Sequence, residues 1–543
     1  MIDKNKLYED LERLVAMPSI SGTDQEVTAA VKIEEMLKEL PYFRENPDQV
    51  MRVEVKDDPY GRFLPAAYLK APVETADTII LTGHYDVVDV EEYGRMQDDA
   101  FDIKAITAEI GELPIDDSTR ADLESGNWYF GRGTADMKFG HALCIELLRY
   151  YSGQPDRKAN FLYVGVCGEE TNSEGMLAAL PFFNEFAAQN GLRYRLLLLT
   201  ECFMLDGAEE NVKYMQYGAS GKIMPMFFCA GAATHGEEPL LGLDASLMSA
   251  EVYRLMHLNT DFCQQNHGIT TAPPAGLKQQ DMKQTYSLST ALYAASYYNI
   301  ATISLDPAET MARLREVAEE AFENTIKLVE KRAAQMQKLT GKAPAVYRAE
   351  PCVKTYNEIY DAAAQKYDGD LAEYLRSYAA ELRKENPELQ DISVKLVKKL
   401  YEMAADKRPM IIVSFIPPYY PDVNVDLKDG DTAKMLSCAD RIADYAREKY
   451  GETLKKSEYY GISDLCYTWL AEGMNFDDIF DNLAGLNSVY DFPSEELKKF
   501  KVPGIVIGGY GKDLHKYTER LEKHYNFEVL PDLYIKYIDM FLE

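Results

Sequence analysis

Short apolar runs that end in histidine or a carboxylate constrain this chain more than any other feature. Thr78–Thr82 (TIILT) leads into Gly83-His84-Tyr85-Asp86, and Asn160–Val166 (NFLYVGV) leads into Cys167-Gly168-Glu169-Glu170. Tyr194–Thr200 (YRLLLLT) ends at Glu201, and Val502–Ile507 (VPGIVI) runs into Gly508-Gly509-Tyr510-Gly511, with His515 shortly after. Met410–Ile416 (MIIVSFI) is a fifth run of strand length. β-Branched content and flanking glycines favour strand over buried helix, and helical stretches separate several runs. That alternation predicts an α/β fold with a mostly parallel, doubly wound sheet. Sites in such sheets form beyond the carboxyl ends of the strands.

Taken singly, each residue has a plain explanation. His84 could be a hydrogen-bonded core histidine, Glu169-Glu170 a solvated turn, Glu201 a helix cap and His515 a surface residue. Their coincidence at four strand ends points elsewhere. Zinc takes imidazole nitrogen and carboxylate oxygen, and its catalytic sites leave a position open. Two metals about 3.5–4 Å apart need a shared ligand. Asp136 is the candidate bridge; it stands in Gly131–Gly140 (GRGTADMKFG), between a Gly-rich turn and the apolar helix His141–Tyr150. His141 reads as packing, as do Cys167 and Cys202 beside the candidate ligands.

At 543 residues the chain is long for one core. The change in texture predicts a main domain whose first part is 1–218, a second, α+β domain inserted over 219–345, and the second part of the main domain over 346–543. That last part includes a helix-rich, charged addition at 352–407, and residues 87–127 read as an acidic, irregular insertion. A formal charge of −31 argues against nucleic-acid or anionic-membrane partners. The eight cysteines lack paired spacing, which fits reduced thiols in a cytoplasmic protein. No apolar run reaches the length of a membrane span, and the N-terminus shows no signal-peptide pattern.

The segments GHYD, GRGTADMKFG, GEE, TE and GYGKDLHKYTERL, in this order, resemble the co-catalytic zinc peptidases and deacylases. That family includes aminoacylase, glutamate carboxypeptidase and succinyl-diaminopimelate desuccinylase. IPPYYPDV (416–423), YYGISDLCY (459–467) and the form GKDLHKYTER narrow the resemblance to an arginine-utilisation branch. The resemblance implies two zinc ions, with cobalt or manganese as alternatives. His84 and Glu201 would complete one metal site, Glu170 and His515 the other, with Asp136 bridging. Asp86 would hold the far nitrogen of His84. Glu169 would be the general base, and a cis peptide would follow Asp136. The inserted domain would be the family's lid; His235, in its GAATHGEEPLLGLDAS (231–246), would steady the oxyanion, and the lid would offer a homodimer contact.

The strand-like Tyr298–Leu305 lacks the arginine with which members of this family usually grip a substrate carboxylate. Lys222, Arg254 and Lys278 are substitutes that no spacing separates. The expectation is a metal-dependent hydrolase of an amide or peptide bond in a small peptide or N-acyl amino acid, with arginine catabolism implied by resemblance. The alternative is a catalytically inactive descendant that binds a metabolite or a partner.

Overall fold

The computed structural model describes residues 2–203, 212–470 and 474–543; the side chains of Tyr459 and Tyr460, in YYGISDLCY, lie outside the described set. The chain divides into two compact units. The first comprises 1–220, 423–471 and 493–543, and the second 221–422 and 472–492.

The first unit is built on an eight-stranded sheet. Its spatial order is Val50–Glu54, Phe63–Leu69, Asn160–Val166, Asp77–His84, Arg193–Leu199, Gly504–Ile507, Val212–Ala219, Thr453–Tyr460. The central pairings, of Asp77–His84 with its two neighbours and of Arg193–Leu199 with Gly504–Ile507, are parallel. The edge formed by Val50–Glu54 and Phe63–Leu69 is antiparallel. Every residue of Asn160–Val166 is buried, which is why it reads as an unbroken apolar run rather than an alternating one. The helix Lys138–Ser152 packs against Asp77–His84 and Asn160–Val166, and it is buried on nearly all sides. Its buried residues include Leu143, Ile145, Leu147 and Leu148, and it anchors the segment carrying Asp136.

Two expectations are corrected here. Residues 87–127 are not irregular: they hold helices Ile103–Glu109 and Asp117–Ser125. Tyr93, Met96, Ala100, Ile106 and Ile110 form a small core there with Trp128 and Phe130. The acidic residues hid it because they supply helix caps: Asp102 accepts from Lys104 and Ala105 N–H, and Asp116 from Thr119 N–H.

The second correction concerns Met410–Phe415, which does not return to the large sheet. It pairs antiparallel with Pro225–Ala230 in a separate six-stranded sheet of the second unit. Helices Tyr356–Ala364, Leu371–Glu385 and Leu389–Met403, within the stretch read as an addition to the catalytic part, share a core with Met226, Phe228, Met410 and Ile412. Pro225–Ala230 is wholly buried and needs a neighbour on each edge. Tyr293–Thr302 supplies one and Met410–Phe415 the other. The helix Pro307–Thr340 completes this unit; Asp306 caps its start by accepting from Glu309 N–H, and Gly341 ends it at φ +73°.

Among the described residues, no helix is long and apolar enough to cross a membrane.

Candidate metal centre

Strand ends and one helix start bring the expected ligands of the first unit together. His84 closes its strand with 1% of its surface exposed, and Glu201 follows Arg193–Leu199 at 6%. His84 Nε2 lies 3.1 Å from Asp136 Oδ1 and 3.1 Å from Glu201 Oε2. His515 Nε2 lies 3.1 Å from the other oxygen of the same aspartate, Oδ2, and 3.1 Å from Glu170 Oε1. One carboxylate thus faces two imidazoles, each accompanied by one further carboxylate. Glu169 Oε2 stands 4.0 Å from His84 Nε2. The peptide after Asp136 is cis.

The donors fit a pair of divalent cations. Two ligand atoms on one tetrahedral zinc stand about 3.4 Å apart at ordinary bond lengths, close to the spacings here. Charge gives the stronger argument. Four carboxylates, Asp136, Glu169, Glu170 and Glu201, converge with only two imidazoles in mostly buried surroundings. Burial of carboxylates without cations is costly, and the acids respond by competing for protons. Burial, reinforced by Asp136, pushes Glu201 up to about 8. Burial raises Glu169 well above the carboxylate range despite His84. Asp136 goes the other way: burial opposes its ionisation, yet hydrogen bonds with His515 and His84 hold it well below its ordinary value. The bonds to Asp136 and Glu170 push His515 up to about 11.

The family model for Peptidase family M20/M25/M40 matches residues 80–418. The chain belongs to this peptidase family. It is 35% identical over 98% of its length to the uncharacterized protein YqjN of Bacillus subtilis (strain 168), covering 95% of that protein. It is 29% identical over 95% of its length to Protein RocB of the same organism, covering 92% of it. Among solved structures it is similar to a Staphylococcus aureus tripeptidase, at 15% identity and TM-score 0.54, covering 100% of this chain and 99% of that one. The dipeptidase Dug1p of Saccharomyces cerevisiae is similar at 12% identity and TM-score 0.54, covering 99% of this chain and 96% of that one. A third similar structure is an M20 family metallo-carboxypeptidase from Sulfolobus solfataricus, at 10% identity and TM-score 0.52, covering 99% and 98%. As an M20 member the chain is a peptidase-type, metal-dependent hydrolase.

Within this M20 centre Asp86 faces the far nitrogen of His84 with both its main chain and its carboxylate. The Nδ1 of His84 contacts the backbone oxygen of Asp86 at 3.0 Å, while the Asp86 carboxylate is 3.6 Å away. That carboxylate also accepts from Ser21 Oγ at 2.7 Å and from the N–H groups of Glu169 and Glu170 at 3.2 Å each. The aspartate therefore holds the loop carrying the acidic pair, and its main chain orients the imidazole. His141 is wholly buried with Nδ1 2.7 Å from the Tyr163 hydroxyl, and burial pushes it down to about 3.

Several residues that hold this site were not singled out in the sequence. Glu519 Oε1 accepts the N–H groups of Ala135 and Asp136 at 3.1 and 3.2 Å. Arg132 donates to Glu519 Oε2 at 2.7 Å and to the backbone oxygen of His515 at 2.9 Å. Both residues are buried. Their signals were proximity alone: Arg132 lies inside GRG, and Glu519 four residues after His515. Asp464, within YYGISDLCY, is 2% exposed, neither of its oxygens has a hydrogen-bond partner among the described residues, and burial pushes it up to about 7.

The remaining candidates lie in the second unit. His235 is about half exposed, and its Nδ1 accepts from Glu237 N–H at 3.3 Å. Lys278 is paired with Asp391 at 2.6 Å, Arg254 with Glu251 at 3.0 Å, and the Lys222 ammonium lies 4.6 Å from the Tyr420 ring centre. Lys278 and Arg254 are thus already engaged by carboxylates of their own unit.

Proposed function

We propose that the protein hydrolyses an amide or peptide bond in a small peptide or N-acyl amino acid, using two divalent cations with zinc as the first choice. The observation that carries this reading is the single carboxylate of Asp136 facing His84 through one oxygen and His515 through the other, at 3.1 Å each. His84, Asp136 and Glu201 would hold one ion, and Asp136, Glu170 and His515 the other. When bound, such ions polarise a carbonyl and acidify water.

The protein's own groups supply the rest. Glu169 precedes a ligand in the chain without sharing its partner, His515, so its carboxylate is left for proton transfer. It takes a proton from the attacking water and returns it to the leaving amine. Glu519 and Arg132 hold Asp136 and His515 in place, and the Asp86 carboxylate holds the Glu169-Glu170 backbone. The role carried over for His235, steadying the oxyanion, belongs to the same proposal. Similarity to RocB supports a substrate drawn from amino-acid metabolism, arginine catabolism included.

The test is metal analysis of protein purified without chelator, followed by a screen of dipeptides, tripeptides and acylated amino acids. Two metals per chain, chelator-sensitive turnover and its loss in Glu169→Ala and His235→Ala at full metal content are expected. Two metals with no turnover on any amide would favour the inactive descendant instead.

A further inference from the structure

The turn Gly168-Glu169-Glu170 presents three consecutive backbone N–H groups, and two buried carboxylates take all three. Gly168 donates to Glu26 Oε2 at 2.9 Å, while Glu169 and Glu170 donate to the two oxygens of Asp86. Glu26 and Asp86 are both 0% exposed. Glu26 uses its other oxygen, Oε1, to accept from Gly22 N–H at 2.8 Å and from Arg62 Nη1 at 3.0 Å. Arg62 is itself buried, and its Nε and Nη2 donate to Asp58 Oδ1 at 2.9 and 2.6 Å. Its Nη2 also stands 3.4 Å from Glu174 Oε1.

The guanidinium lies directly against the turn. A Cβ added to Gly168 would come 3.0 Å from Arg62 Nη1 and 2.2 Å from Glu174 Oε2, and Gly168 has φ +66°. The turn is therefore gripped through its amides and packed from beneath by the charge that balances one of the gripping carboxylates. Hydrogen bonds to an ionised acceptor are shorter and stronger than neutral ones. Burial and the neighbouring Asp86 push Glu26 up to about 8, and Arg62 is the cation that opposes this rise while its Nη1 holds Glu26 Oε1 at 3.0 Å.

We propose that Arg62, acting through Glu26, is a positioning residue. It fixes the backbone of the Gly168-Glu169-Glu170 turn and so the directions in which the Glu169 and Glu170 side chains leave it. The consequence for catalysis rests on the roles proposed above for these two glutamates; the restraint on the turn does not.

The test uses the full chain in its metal-free form and reads amide hydrogen exchange by mass spectrometry in peptides spanning 167–172. Two variants are compared, Arg62→Met and Glu26→Gln. In Glu26→Gln the amide oxygen is retained by Gly22 and Arg62, so its Nε2 meets the Gly168 N–H donor to donor. Exchange at the turn is expected to rise about tenfold, the scale of losing one buried hydrogen bond. The strand Asn160–Val166 and the helix Lys138–Ser152 should keep wild-type protection, and Arg62→Lys should recover part of the turn's. With Zn2+ restored, and a substrate found as above, kcat should fall with KM within about twofold, since positioning acts on the transition state. Unchanged turn exchange in both variants overturns the proposal, as does a rise spread evenly over the unit, which marks a purely structural role. A rise confined to the turn while Glu169→Ala stays active upholds the restraint and removes only the catalytic reading.

Discussion

Glu519 accepts the backbone N–H of Asp136 at 3.2 Å, so the carboxylate that faces both imidazoles is held from behind by another carboxylate. The arrangement survives because Arg132 neutralises Glu519 and also grips the backbone of His515. One buried ion pair therefore links the loop bearing Asp136 to the loop bearing His515.

Glu519→Gln should lower metal affinity about 10–100-fold, the range for losing a partner that orients a ligand. Glu519→Ala should in addition destabilise the fold by about 3–5 kcal/mol, because it leaves the buried Arg132 charge unpaired. Zinc titration against a competing chelator and denaturant unfolding of the metal-free protein measure the two effects separately. Wild-type affinity in Glu519→Gln would show that Asp136 needs no such support.

Glu169 and Glu170 are adjacent but should behave differently. Glu169→Ala should retain two metals and lose turnover about 10²–10⁴-fold, the contribution of general acid–base catalysis. Glu170→Ala should lose metal along with activity, because Glu170 Oε1 stands 3.1 Å from His515 Nε2. Elemental analysis alongside kinetics separates them, and equal metal loss in both would remove the distinction.

Metal uptake should release protons. His515 is raised to about 11 by its bonds to Asp136 and Glu170, above the 6.5 of a free imidazole. In the metal-free protein this imidazolium contributes stability that is fully present below about pH 6.5 and is lost as pH rises through about 11. A cation must displace that proton, so apparent affinity for the folded protein should climb with pH up to about 11. Calorimetry in buffers of different ionisation enthalpy counts the protons; none released at pH 7 would contradict the assignment of His515 as a ligand.

Asp464 should make the metal-free protein more stable in acid than in base. Its folded value is raised to about 7 from 3.8, with burial the leading cause, so the folded state holds an extra proton between these values. The contribution is full below about pH 3.8 and is lost as pH rises through about 7. Asp464→Asn should raise the melting temperature at pH 8 by clearly more than at pH 5. The same shift at both pH values would mean that the charge is not responsible.

The α/β class and the convergence of His84, Asp136, Glu170, Glu201 and His515 were legible in the sequence. The fold class rests on a local signal, since a wholly buried strand is apolar over most of its length, as Phe161–Val166 is, and its carboxyl end delivers whatever follows it. The division of the ligands between two metals, with Glu170 rather than Glu169 among them, came from the family resemblance. The sequence alone did not determine which sheet Met410–Phe415 joins. An apolar run shows that it will be buried but not against what, and the open edge of Pro225–Ala230 exists only in the folded chain. It also could not assign Glu26, Arg62, Arg132 and Glu519, whose partners lie 36 to 387 residues away in Arg62–Glu26 and Arg132–Glu519. Charged side chains carry no periodicity that identifies a distant partner. Tertiary structure decided these pairings, because a buried charge is tolerated only where folding brings its counterion within hydrogen-bond reach.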